Sequence, residues 1–123
     1  KALLKKKIDI ARSKVLIMGF SFKENCPDIR NTKVADIYNQ LREYGIEVDV
    51  FDPWIDRVEA VNLYNVSLVS ELEREKYSAV IVAVAHDEFK DIGIDRISKC
   101  CLANHVIYDL KYIFPVSNNI LRL

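Results

Sequence analysis

Residues 79–85 read Ala79-Val80-Ile81-Val82-Ala83-Val84-Ala85, and this run decides the fold class. Seven apolar residues, four of them β-branched, predict a short strand covered on both faces, as in a parallel sheet with helices on either side. Its nearest look-alike upstream is residues 15–20 (VLIMGF), another short apolar run. Residues 46–52 (IEVDVFD) form a third, with Ile46, Val48 and Val50 on one face and Pro53 forbidding easy continuation.

Helical patterns alternate with these strands. Val34, Ile37, Tyr38, Leu41 and Tyr44 fall at helical spacing, Asn31 or Thr32 can cap their helix, and Gly45 stands where it should stop. A short helix is expected over 55–61, a brief strand over 66–69, and a helix over 70–76. Another helix is expected over 91–102, weakened by Gly93, and a last strand over 106–109. Residues 2–11 are helix-compatible, with Leu4, Ile8 and Ala11 on one face. Strands alternating with helices imply right-handed crossovers. The expectation is therefore an α/β, Rossmann-like three-layer sandwich with a mainly parallel sheet.

The 123 residues suit one domain, which typically holds roughly 100–200 residues. Residues 1–13 are expected to be the stub of a preceding helix or linker, and 14–123 the domain itself. The chain begins at Lys1 and its only methionine is Met18, inside a strand, so a fragment is expected. Lys plus Arg and Asp plus Glu each number 18, giving zero net charge. Such a balance offers no general field for nucleic acid or an anionic membrane. Cys26, Cys100 and Cys101 are too few, and odd in number, for a secreted disulfide framework, and no apolar run is long enough to span a bilayer. A reducing cytoplasm is the expected setting.

In an open parallel sheet, ligands collect beyond the carboxyl ends of the strands. Phe22-Lys23-Glu24-Asn25 follows the first strand, with Asp28 and Arg30 beyond. Asp52-Pro53-Trp54 follows the second, His86-Asp87-Glu88 the AVIVAVA run, and Asp109-Leu110-Lys111 the last. Lys23, Arg30 and Lys111 are expected to gather on this rim. They suit a phosphate-bearing ligand, with Phe22 or Trp54 available to stack on a base. Gly19 has no partner glycines, so neither a dinucleotide fingerprint nor a GKS-type phosphate loop is present. The first strand-to-helix loop, about eleven residues, exceeds the usual two to six.

Gly19-Phe20-Ser21-Phe22-Lys23-Glu24-Asn25-Cys26-Pro27-Asp28-Ile29-Arg30-Asn31-Thr32 resembles the G-x-x-F-K-x-x-x-x-D-x-R signature of the UDP-glucose/GDP-mannose dehydrogenase family. Tyr44-Gly45-Ile46-Glu47-Val48, Val50-Phe51-Asp52-Pro53-Trp54, His86-Asp87-Glu88-Phe89 and Asp109-Leu110-Lys111 follow in the family's order. The resemblance covers nearly the whole chain. It implies the UDP-sugar-binding C-terminal domain of an NAD-dependent nucleotide-sugar 6-dehydrogenase, which oxidises the sugar C6 alcohol to a carboxylate for surface polysaccharide synthesis. Catalytic residues, including the family's cysteine, would lie in missing N-terminal and central domains, so none is expected here. The full-length enzyme would be a cytoplasmic homodimer.

On the same resemblance, Phe22, Lys23 and Lys111 are substrate-binding and Arg30 is cofactor-binding. Lys111 stands where UDP-glucose enzymes often carry an arginine facing the substrate, keeping the charge and losing the planar fork. Cys26-Pro27 and Asn31-Thr32 depart from the UDP-glucose pattern and favour the UDP-N-acetylhexosamine branch.

Plainer roles stand beside these. Phe22 could plug the core, and Arg30 could pair with Asp28 or Glu24. Asp52 and Trp54 are expected to shape a turn, and His86 to order its loop while Asp87 caps the next helix. Cys100 and Cys101 read as helix-end thiols, and Tyr38, Tyr44 and Tyr77 as core or interface. No pair among Cys26, Cys100, Cys101, His86 and His105 has metal-ligand spacing, so no metal is expected. The alternative in kind is a non-enzymatic interaction or receiver-like module, or a domain kept for assembly alone. A first strand ending in Phe-Lys rather than clustered acids disfavours a receiver.

Overall fold

The computed structural model describes residues 1–117 and 120–122, the side chain of Lys5 excepted; the expected domain 14–123 thus ends partly outside the described residues. In chain order the elements are α1 (Ala2–Lys5), a 3₁₀ turn (Ile10–Arg12), β1 (Lys14–Met18), α2 (Val34–Glu43), β2 (Glu47–Phe51), α3 (Arg57–Tyr64), β3 (Tyr77–Val82), α4 (Asp87–Lys99), β4 (Cys101–Asp109) and β5 (Ile120–Leu121). The strands form one sheet in the order β2-β1-β3-β4-β5, every pair parallel.

Alternation along the strands produces the three layers. Val15 and Ile17 of β1, with Val48 and Val50 of β2, bury against Val34, Ala35 and Tyr38 of α2 and Ala60 of α3. Leu16 and Met18 point the other way and join Val80, Val82 and Ile107 against Phe89 and Ile97 of α4. A strand with both faces covered has no solvent side, which is why these segments read as apolar runs.

The helix limits are local. Thr32 Oγ1 accepts the Val34 N–H at 3.2 Å where α2 begins. The Gly45 N–H bonds the Arg42 carbonyl past its end, at φ 79°. Asp56 caps α3 by accepting the Glu59 N–H at 2.9 Å, and Asn65 ends it in a left-handed conformation. Gly93, at φ 80° and ψ 158°, breaks the helical path within α4.

Several expectations need correction. Residues 70–76 form no helix. The Ser70 hydroxyl accepts from Arg57 at 2.7 Å instead of capping, and the N–H groups of Glu75, Lys76 and Tyr77 bond carbonyls of Lys99 and Cys100. Leu72, the segment's one leucine, is buried against the α4 face of the sheet. α4 starts four residues early, and residues 101–105 extend β4 rather than the helix. A further edge strand, β5, pairs with β4 at Ile107 and Tyr108. Residues 2–11 hold only the short α1 and the 3₁₀ turn, separated by Lys7 at φ 58°. The brief strand over 66–69 is a single parallel bridge, Val50 to Leu68, flanked by two 2.8 Å hydrogen bonds. Tyr38 and Tyr77 are buried, while Tyr44 is exposed.

Candidate functional site

The chain leaves β1 for β2 on one side and returns to β3 on the other, so the sheet order reverses between β1 and β3. A crevice opens at such a reversal, outside the carboxyl ends of the strands. Gly19 permits the approach. At φ 95° it brings the end of β1 against the loop after β3, and its N–H bonds the Phe51 carbonyl at 2.9 Å.

Beyond Gly19 the aromatic residues divide. Phe20 is fully buried, edge-on to Tyr64 at 5.3 Å and Tyr38 at 6.3 Å. Phe22 is 56% exposed, so Phe20 and not Phe22 plugs the core. The Phe22 N–H bonds the Asp28 carbonyl at 2.7 Å, closing the long loop on itself.

Phe22 and Lys23 then line a cleft of about 190 Å³ with Lys33 and Lys111. Val34, Ala83 and Val84 lie beneath, and Glu24 is the lining acid. Lys111 is placed by the turn after β4. There the fully buried Asp109 carboxylate accepts the N–H groups of Ile113 at 3.2 Å and Phe114 at 2.8 Å. Lys23, Lys33 and Lys111 are exposed and form no ion pair with any described carboxylate. Three unpaired ammonium groups around an apolar floor suit a polyanion with an uncharged body.

The expected gathering of Lys23, Arg30 and Lys111 is therefore realised for two of the three. Arg30 lies outside the cleft lining and grips Asp28 through Nε at 3.1 Å and Nη2 at 3.3 Å, its side chain 78% exposed. The Arg30 side-chain hydrogen bond, followed by its backbone one, holds the Asp28 carboxyl below its ordinary value; Asp28 in turn raises the Arg30 guanidinium. Lys33 takes the third position. Its signal in the sequence is its place directly before α2, next to the capping residue Thr32.

Asp52 shapes the expected turn, its Oδ1 accepting the Trp54 N–H at 2.8 Å. Its Oδ2 accepts the N–H groups of Phe20 at 2.7 Å and Ser21 at 3.1 Å. Burial alone would raise the Asp52 carboxyl, yet hydrogen bonds from His86, Phe20 and Trp54 outweigh it and leave the group below its usual value. Trp54 lies away from the cleft, its Nε1–H donating to Glu88 at 3.1 Å. Asp87 does not cap α4, since no side chain does; the Asp87 N–H is taken by Asn25 Oδ1 at 3.0 Å. Cys100 and Cys101 are both buried, Cys100 at the end of α4 as expected and Cys101 not at a helix end but as the first residue of β4. Among the described residues no cluster could hold a metal ion, and no helix is long and apolar enough to cross a membrane.

Residues 16–116 match the family model described as UDP-glucose/GDP-mannose dehydrogenase family, UDP binding domain. The chain is 49% identical over its whole length to a UDP-N-acetyl-D-glucosamine 6-dehydrogenase of Pseudomonas aeruginosa, and 47% to one of Salmonella typhi. It spans 29% of the length of each of these curated relatives. Among solved structures, a UDP-D-ManNAc dehydrogenase of Pyrococcus horikoshii superposes with TM-score 0.74 at 24% identity, covering 98% of this chain and 28% of that one. A GDP-mannose dehydrogenase of Pseudomonas aeruginosa does so with TM-score 0.71 at 18% identity, covering 98% and 29%. At those identities the two structures establish the shared fold.

Proposed function

The chain belongs to the UDP-glucose/GDP-mannose dehydrogenase family, over the part described as its UDP binding domain, and from that premise we propose that the lysine cleft grips the diphosphate of a UDP-sugar. The observation that carries this reading is the shared lining of Phe22, Lys23, Lys33 and Lys111, its three lysines unpaired. The diphosphate meets the ammonium groups, and Phe22 offers its exposed ring to the base or sugar.

The whole protein is, on this proposal, an NAD-dependent nucleotide-sugar 6-dehydrogenase. It turns the C6 alcohol of a UDP-N-acetylhexosamine, or of UDP-glucose, into a carboxylate for surface polysaccharide synthesis. The relatives' names and their identities over the full chain favour the N-acetylhexosamine. Bound NAD supplies the hydride acceptor. The glycines of this chain, Gly19, Gly45 and Gly93, are isolated from one another, so no glycine-rich turn here cradles a dinucleotide. The contribution of this domain to NAD is Arg30, reaching from an exposed position while Asp28 fixes its fork. Catalysis is assigned to the missing domains, and the protein to a cytoplasmic homodimer. Binding energy from the remote UDP end then holds C6 against groups carried elsewhere.

Calorimetric titration of the 123-residue chain with UDP, UMP and uridine tests the grip. Affinity should fall in that order and weaken with added salt, most steeply for UDP. Equal affinity for UDP and uridine, or no loss of UDP binding in Lys23→Ala, overturns the proposal.

A further inference from the structure

His86 is fully buried between Trp54, stacked at a centroid distance of 6.0 Å, and Phe89, edge-on at 5.2 Å. Its two ring nitrogens are committed to different tasks. Nδ1 stands 2.9 Å from the backbone nitrogen of Asn25. A backbone N–H only donates, so Nδ1 is the bare acceptor and the ring proton sits on Nε2. Nε2 faces Asp52 Oδ2 at 3.0 Å and Ser21 Oγ at 3.1 Å. Ser21 spends its own hydroxyl proton on the Lys23 carbonyl at 3.0 Å, so it accepts from the ring.

Serine, histidine and aspartate together suggest a nucleophile relay, but the connectivity forbids one. A relay needs serine on one nitrogen and the carboxylate on the other. Here both share Nε2, and Nδ1 is closed by a backbone amide.

What the three residues do hold is the turn. Asp52 binds the N–H groups of Phe20 and Ser21 on its entry side, and His86 binds the N–H of Asn25 on its exit side. Asn25, at φ 53°, in turn accepts the Asp87 N–H through its Oδ1. Between the two clasped ends stand Phe22, Lys23 and Glu24, all lining the cleft. We infer that His86, as its neutral Nε2–H tautomer, is a positioning residue that latches the Phe22–Lys23 turn into its ligand-ready shape. The inference rests on the reading of the cleft as a UDP site. The latch removes an ordering cost that ligand binding would otherwise bear.

The unmodified 123-residue chain gives the first test. A long-range proton–nitrogen spectrum of the labelled protein should show His86 protonated at Nε2 and bare at Nδ1, with His105→Gln assigning the second histidine. A proton on Nδ1 overturns the latch. In His86→Phe, which keeps a ring against Trp54 and Phe89, Asn25 amide exchange should rise at least about tenfold, and the emission of Trp54, the single tryptophan, should change. UDP affinity should fall about tenfold, the size of one lost buried hydrogen bond. His86→Asn, which keeps an acceptor near the Nδ1 position, should recover Asn25 protection and part of the affinity. An Asn25 amide equally protected in His86→Phe, or unchanged UDP affinity in that variant, refutes the latch. If His86→Phe does not fold, the spectrum and His86→Asn decide. Absence of UDP binding by the parent chain sinks the cleft reading instead, while ring tautomer and Asn25 exchange still judge the latch.

Discussion

A Cβ placed on Gly19 would stand 2.5 Å from the Cβ of Val84 and 2.9 Å from its backbone nitrogen. The two residues bring the end of β1 and the loop after β3 together, at the point where the sheet order reverses. Gly19 also sits at φ 95°, where a side chain is strained whatever the space. Gly19→Ala should therefore destabilise the domain by about 2–4 kcal/mol, adding conformational strain to overpacking. Val84→Ala on that background should recover little, because the offending Cβ and nitrogen remain. Urea denaturation of both variants measures this, and a loss below about 1 kcal/mol would show the contact to be yielding.

Asp52 makes stability depend on acid in a stated direction. Its carboxyl is most strongly affected by burial, which raises it, but the combined donors His86, Phe20 and Trp54 leave it below its ordinary value. A carboxyl lower in the folded than in the unfolded chain contributes stability that is fully present above the unfolded value, near about 3.9. That contribution is lost as pH falls through the folded value. Denaturant melts between pH 5 and pH 2 should thus show falling stability. Asp52→Asn should flatten that slope. At neutral pH it should cost about 1–3 kcal/mol, since an amide has one acceptor oxygen for the Phe20, Ser21 and Trp54 N–H groups that Asp52 takes on two. An unchanged slope in the variant removes Asp52 from the acid response.

The three cleft lysines should separate from Arg30 in a binding experiment. Lys23→Ala, Lys33→Ala and Lys111→Ala each remove one unpaired ammonium from the lining, and each should weaken UDP about three- to thirtyfold, the range of a partly exposed charged hydrogen bond. Arg30→Ala should leave UDP affinity and domain stability unchanged, because its pair with Asp28 is exposed and lies outside the cleft. Titration calorimetry with UDP checks all four. A Lys33→Ala chain that binds like the parent would restrict the grip to Lys23 and Lys111.

What could be read in the chain, and what could not, follows from the range of the forces. The runs 15–20 and 79–85 announce buried parallel strands because both faces demand apolar residues, and Gly45 announces a helix end because its backbone must turn left-handed. The rim position of Lys23 and Lys111 follows from the strand ends alone. Residues 70–76 have a locally helical polar pattern yet form no helix, because Arg57 and the carbonyls of Lys99 and Cys100, distant in sequence, claim their groups. The length of β4 was hidden for a similar reason, since residues 101–109 gain their strand pairing from β3 and β5. Phe20 and Phe22 show the limit most sharply. Two phenylalanines two residues apart have opposite fates, and only the aromatic pocket made by Tyr38 and Tyr64 decides which turns inward.

Tyr77 provides a control that separates stability from ligand grip. Its hydroxyl donates to the buried Asp49 Oδ2 at 2.8 Å, and on the outer side of that carboxylate the exposed Ser67 Oγ donates at 3.0 Å and the Lys76 ammonium lies 3.5 Å away. Burial, then the hydrogen bond to Asp49, pushes the Tyr77 phenol well above its ordinary value, so it remains a neutral donor across the usable pH range. Tyr77→Phe keeps the ring packed in the α4-side core and removes that one bond, which should cost about 1.5–3 kcal/mol because the acceptor is a charged carboxylate. Neither Tyr77 nor Asp49 lines the cleft, and no hydrogen bond links them to Ser21, Asn25 or His86. UDP affinity of the folded variant should therefore equal that of the parent, measured by calorimetry well below the melting temperature. A parallel loss of stability and affinity would mean that the rim turn is held by the general rigidity of the sheet, and would shift credit for its shape away from Asp52 and His86.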